Sequence, residues 1–91
     1  MTTAEKIILV SDGMKELLLE KNRRYGDSAL NPRNIFSKTS SDEQIRVRLD
    51  DKLSRVMNSD TLRKNDVSDI IGYLVLLAIA NGWTDFTDLI D

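Results

Sequence analysis

The chain has 91 residues, of which 41% are hydrophobic and 31% charged, a balance ordinary for one soluble globular domain. It contains no cysteine and no histidine, which excludes disulfides, thiolate metal sites and any Ser-His or Cys-His nucleophile pair. The net charge of −2 is unevenly spread: residues 21–64 hold eleven Lys/Arg against six Asp/Glu, while residues 65–91 hold five Asp and no basic residue. The basic middle suits an anion. The acidic end would repel a long phosphate backbone, so a small phosphorylated ligand fits this balance better than long nucleic acid.

The first predicted helix runs from Thr3 to Asn22. Ile7, Val10, Met14, Leu17 and Leu18 recur at three- and four-residue steps. Its apolar run Ile7–Val10 is too short for a secretory h-region. Tyr25-Gly26-Asp27 stops the helix, because Gly26 is free to take positive φ. Asn31-Pro32 marks a second turn, and Pro32 suits the opening of a short helical turn toward Phe36. Ile35 and Phe36 are expected to pin this excursion to the core. An ordered loop this long is uncommon in so small a chain and points to function.

The second predicted helix begins with a capping-box pattern, Ser40 with Glu43 or Ser41 with Gln44. Ile45, Leu49, Leu53 and Val56 form its apolar stripe. Asn58-Ser59-Asp60 ends it. The third helix begins near Asn65 or Asp66, either of which is a candidate cap. It ends at Asn81-Gly82, a left-handed C-cap signal. The segment Ile70–Ala80 is apolar on every side except for the Tyr73 hydroxyl, and two partner helices cannot enclose such a helix. This predicts a homo-oligomer with the third helix at its centre and Gly72 permitting close approach. It is too short to span a bilayer, so no membrane partner is expected. The acidic tail Trp83–Asp91, anchored by Trp83, Phe86, Leu89 and Ile90, predicts a short packed turn. The fold class is therefore all-α: a three-helix chain with a C-terminal turn, assembling as an oligomeric helical bundle, with residues 1–91 as one cytoplasmic domain.

Four clusters carry candidate chemistry. Lys21-Asn22-Arg23-Arg24-Tyr25-Gly26-Asp27-Ser28 combines cationic forks, an amide, an aromatic face and a hydroxyl, with Arg33 further along the loop. Arginine grips phosphate in a bidentate way and tyrosine stacks on a base; the same residues also suit a solvated helix end that complements the dipole. Arg46, Arg48, Asp51, Lys52 and Arg55 make either a phosphate clamp or an intrahelical ion-pair ladder. Asp66 and Asp69 share a helix face, with Tyr73 one turn on. They suit magnesium or, for Asp66 above all, helix capping. Glu16 and Glu20, four apart, read as solvated acids.

These strings, in order, resemble the first of the nucleotide-modification-associated domain families, small helical proteins common in phages and prophages. That family's pattern has Lys-Asn, then Tyr-Gly-Asp-Ser, then Arg-x-x-Asp-Lys-Leu-x-Arg, then an Asp-rich helix ending near a tyrosine. Here it falls on Lys21, Asn22, Tyr25, Gly26, Asp27 and Ser28, then on Arg48, Asp51, Lys52, Leu53 and Arg55, then on Asp69 and Tyr73. The resemblance spans residues 16–80 and implies a link to nucleotides. At a greater distance the chain resembles all-α nucleoside triphosphate pyrophosphatases of the MazG type, whose magnesium is held by Glu-Glu-x-x-Glu on one helix and Glu-x-x-Asp on the next. Only Asp66-x-x-Asp69 matches; the second helix offers Asp50-Asp51, with Ser54 at the later acid position.

The leading expectation is thus a phage-type protein that binds a phosphorylated nucleotide without turnover, with no catalytic residue, and one use is sequestering a nucleotide immune signal in the host cytoplasm. Its expected ligand residues are Lys21, Asn22, Arg24, Tyr25, Asp27, Ser28, Arg33, Arg48, Lys52, Arg55 and Tyr73. Asp51 and Asp69 are the candidate magnesium ligands. The alternatives are a magnesium-dependent pyrophosphatase using Asp50, Asp51, Asp66 and Asp69, a nucleotide-modification accessory protein, or a helical inhibitor that engages a host protein through the acidic tail.

Overall fold

A computed structural model describes residues 1–90; Asp91, the end of the predicted tail, lies outside them. The chain is all-helical over these residues: α1 spans Thr3–Tyr25, α2 Ser41–Met57 and α3 Lys64–Ala80, followed by a single 3₁₀ turn at Thr87–Leu89. Four of the boundaries have a local cause. Thr2 caps α1 in a full capping box, accepting a hydrogen bond from the Glu5 amide while Glu5 accepts one from the Thr2 amide. Gly26, at φ 60°, closes it in the left-handed region. Ser40 caps α2 by accepting from the Glu43 amide. Gly82, at φ 77°, carries the chain away after α3.

Two boundaries differ from the sequence expectation. The first helix continues past Asn22 to Tyr25, which places Lys21 through Tyr25 on a helix face instead of a loop. The third helix starts at Lys64, so neither Asn65 nor Asp66 caps it; Arg63 is the capping residue and makes no side-chain cap bond.

The three helices form two antiparallel pairs that share α3. Asn81 Nδ2 donates to Asp42 Oδ2 at 2.8 Å, tying the end of α3 to the start of α2. Lys52 near the end of α2 meets Asp66 near the start of α3. On the other side Lys21 of α1 meets Asp69, and Leu18 meets Gly72. Helices α1 and α2 do not pack on one another. They stand apart on α3, which leaves a cleft between them with α3 as its floor.

The core is thin. Ile45 and Leu49 are the only buried hydrophobic residues described, and α1 buries none. The predicted stripe of α2 is corrected at its third position: Leu53 is 46% exposed, and Lys52 turns inward instead. At 100° per residue, positions 45, 49, 52 and 56 share one face, while Leu53 sits about 80° away from Ile45. The loop is corrected too. Ile35 and Phe36 are 73% and 97% exposed, so they do not pin it. Polar bonds hold it instead: Gln44 Nε2 donates to Asn34 Oδ1 at 3.0 Å, and Asn34 itself takes positive φ. Pro32 opens no helical turn. The tail forms its turn without packing, with Trp83, Phe86, Leu89 and Ile90 all exposed. Nor does one chain enclose α3, since Leu74, Val75 and Ile79 are exposed.

Candidate functional site

The cleft has a volume of about 350 Å³, at the lower end of the range for small-molecule sites. All three helices and the first loop line it. Helix α1 contributes Lys21, Asn22 and Tyr25, the turn contributes Asp27 and Ser28, α2 contributes Arg48, and α3 contributes Ser68, Asp69, Gly72 and Tyr73. Extension of α1 to Tyr25 explains the first group. Leu18, Lys21 and Tyr25 follow one another at three- and four-residue steps and share one face.

Gly26 and Asp27 then turn the chain sharply, both at positive φ. Asn31 Nδ2 donates to the Asp27 carboxylate, and the Asn31 amide donates to the Asp27 carbonyl at 3.0 Å. These bonds favour an aspartate in a conformation that most side chains avoid. Gly72 lets α1 approach the cleft floor: a Cβ there would lie 3.0 Å from Leu18 Cδ2.

Below the cleft runs an ion network that joins the three helices. Asp69 Oδ2 lies 3.1 Å from Lys52 Nζ, and its Oδ1 lies 3.5 Å from Lys21 Nζ. Lys52 Nζ also lies 3.4 Å from Asp66 Oδ1, and Arg63 Nε lies 3.3 Å from Asp66 Oδ2. Asp66 is 2% exposed, and no buried side-chain polar atom among the described residues lacks a partner. Burial pushes the Asp66 carboxyl up, but the hydrogen bonds from Arg63 and Lys52 outweigh it and hold it below the ordinary carboxylate value. The same network raises Lys52, chiefly through its hydrogen bond to Asp69, against the opposing effect of burial.

Electrostatically the cleft is balanced, with Lys21 and Arg48 against Asp27 and Asp69. Its cations are not equivalent. Lys21 is engaged by Asp69. Arg48 makes no ion pair among the described residues and leaves its guanidinium free for a ligand.

The cleft thus gathers Lys21, Asn22, Tyr25, Asp27, Ser28, Arg48 and Tyr73 from the expected ligand set, together with Asp69. It leaves out the other four expected ligand residues. Arg24 turns to Glu20, 3.7 Å away. Arg55 pairs with Asp51 at 2.9 Å on the exposed side of α2. Lys52 lies under the cleft as part of the ion network, and Arg33 is not in the lining. Of the candidate magnesium ligands, Asp51 faces Arg55 and Asp69 faces two lysines; among the described residues no group of three or more acidic side chains is placed to hold a metal ion. Ser68 and the apolar wall of Leu17, Leu18 and Leu76 are not among the site residues expected from the sequence, where Leu17 and Leu18 belong to the apolar spacing of the first helix. The three- and four-residue spacing of Leu18, Lys21 and Tyr25 is the signal that marks this wall.

The chain matches no family model, no curated protein and no solved structure. Among the described residues no helix is long and apolar enough to cross a membrane.

Proposed function

We propose that the chain binds a small phosphorylated nucleotide in the cleft between α1 and α2 and does not turn it over. The observation that carries this reading is the free guanidinium of Arg48 in the same small cleft as Tyr25 and Tyr73. Arginine is suited to bidentate phosphate contact, and tyrosine rings supply faces for a base. Amide and hydroxyl groups on Asn22, Ser28 and Ser68 supply ribose and base contacts.

Charge balance narrows the ligand. With Lys21 engaged, one free cation stands against Asp27. A triphosphate would bring more negative charge than this cleft offsets, so a ligand presenting one phosphate group fits better. The acids support a reading without turnover. Of Asp50, Asp51, Asp66 and Asp69, which the pyrophosphatase reading needs, the last three are each paired with lysine or arginine, and Asp50 makes no ion pair among the described residues. Binding without turnover suits sequestration, of a host nucleotide signal in the setting that the phage-type resemblance implies. Separately from the cleft reading, the exposed Leu74, Val75 and Ile79 support self-association through α3.

Calorimetric titration with linear and cyclic nucleotides carrying one to three phosphates, followed by chromatography of the nucleotide, tests the reading. Saturable binding of a one-phosphate ligand recovered intact is expected. Absence of binding across the series, or release of pyrophosphate, would overturn it.

One observation favours a second reading. The apolar tail residues Trp83 and Leu89 are 59% and 71% exposed beside Asp85 and Asp88. A helical inhibitor that engages a host protein through this segment would lose its partner when residues 83–91 are removed, as a co-purification experiment would show.

A further inference from the structure

The face of the molecule adjoining the cleft is apolar and uncovered. Helices α1 and α3 diverge there around a groove of about 590 Å³. Val10, Met14 and Leu18 line it from α1, and Ile71, Val75 and Ile79 from α3. The cause lies in the sequence: both helices carry apolar residues at three- and four-residue steps, and no fourth α-helix among the described residues covers them. Ile7 and Val10 at the free end of α1 are 60% and 59% exposed.

We propose that a second copy of this chain, related by a two-fold axis, seats its own α1–α3 face on this groove. Area supports that occupant. The accessible surface is 7438 Å², whereas a compact monomer of this mass exposes about 5,400 Å². The excess of about 2,000 Å² per chain is the scale that permanent homodimers bury, well above the roughly 800 Å² per partner of a standard interface. The radius of gyration, 14.9 Å, likewise exceeds the roughly 12 Å expected for a compact chain of this length. Charge supports it as well. A two-fold contact brings each charge near its own copy, so a face of one sign repels itself. The charged residues lining this groove are one of each sign, Lys15 and Asp27, which leaves no bias toward an acidic or basic partner and no barrier to self-pairing.

The groove shares Leu18, Asn22, Asp27 and Leu76 with the nucleotide cleft. A seated partner therefore backs the cleft wall. That consequence rests on the nucleotide reading, but the dimer does not, so its test uses the intact chain without ligand.

Sedimentation velocity on the ligand-free protein should give a dimer. Val10→Glu and Ile79→Glu should each give a monomer that keeps its far-UV helical signal, while Leu62→Glu, in the α2–α3 connector, should leave the dimer intact. Because the chain has no cysteine, Ser11→Cys offers a single labelling site on the groove. A spin label there should report a short intermolecular distance even if the glutamate variants fail to fold. A monomeric wild-type chain, or a dimer in which the label shows no close partner, would overturn the proposal. Nucleotide binding by a monomeric wild-type chain would sink the dimer and leave the cleft reading standing.

Discussion

Lys52 reaches from α2 to place its ammonium 3.1 Å from Asp69 and 3.4 Å from Asp66, both on α3. One lysine thereby holds two carboxylates that would otherwise repel each other one turn apart. With Lys21 on the far oxygen of Asp69, the arrangement ties α1, α2 and α3 together beneath the cleft. Replacing Lys52 by methionine keeps most of the side-chain volume but leaves two acids close together, one of them buried. Lys52→Met should lower the melting temperature by several degrees. Lys52→Met combined with Asp69→Asn should recover part of that loss, because the repulsion is removed. Thermal denaturation of the three proteins checks this, and equal melting temperatures for wild type and the single variant would contradict it.

The same network sets the pH dependence of stability. Asp66 titrates below its ordinary value of 3.8 in the folded chain, so its contribution is fully present above that value. It is lost as pH falls through the lower folded value. Asp42 behaves alike, held down by Arg46 first and by Asn81 second. Lys52 is raised above 10.5, so its contribution is full below that value and is lost as pH rises through the folded one. Melting temperature plotted against pH should show a plateau with an acid limb below 3.8 and an alkaline limb above 10.5. Asp66→Asn should flatten the acid limb, and an unchanged limb would assign it to other carboxylates.

Arg48 separates binding from stability. It is exposed, carries no ion pair among the described residues and lines the cleft. Arg48→Gln should change stability by about 0.5 kcal/mol or less, as surface substitutions usually do. On the proposed nucleotide reading it also removes one charge-assisted phosphate contact, worth about 1.5–3 kcal/mol. Calorimetry should therefore show a loss of roughly ten- to a hundredfold in nucleotide affinity, with Arg48→Lys in between because lysine keeps the charge without the fork. Full affinity in Arg48→Gln would move the phosphate site elsewhere.

Gly72 sets the spacing between α1 and α3. An alanine there gains about 1 kcal/mol in helix propensity, while its Cβ would press on Leu18 Cδ2 at 3.0 Å. Leu18 Cδ2 is the free end of a side chain on the loosely packed α1, so it gives way and Gly72→Ala should be close to neutral in thermal denaturation. Gly72→Leu exceeds what that motion absorbs. It should push α1 off α3, lower the melting temperature and abolish nucleotide binding, because Leu18 walls the cleft.

The local features of this fold were readable because their causes are local. A capping serine at Ser40, glycines at Gly26 and Gly82 and three- to four-residue apolar spacing act within a turn or two of the chain. Of the two ends that differ from the sequence expectation, that of α1 has a local cause and that of α3 a tertiary one. The sequence KNRRY is helical as far as Tyr25 because no residue before Gly26 breaks the turn. The start of α3 slipped to Lys64 because Asp66 is drawn into Lys52 and Arg63 instead of capping.

By itself, the sequence determined that the chain is helical and roughly where its helices lie, and it showed which cations and tyrosines the chain carries. Only the tertiary structure decided which of those groups meet. Arg24, Arg33 and Arg48 are equal as letters, but α1 and α2 stand apart on α3 so that Arg48 alone of these three lines the cleft. Lys52 and Leu53 are neighbours in sequence, and the 100° step between them sends the lysine inward to two aspartates and leaves the leucine half exposed. Arg24 and Arg55 are engaged by acids four residues away, but Lys21 and Lys52 are engaged by partners 14 to 48 residues away, a separation at which composition and spacing carry no information.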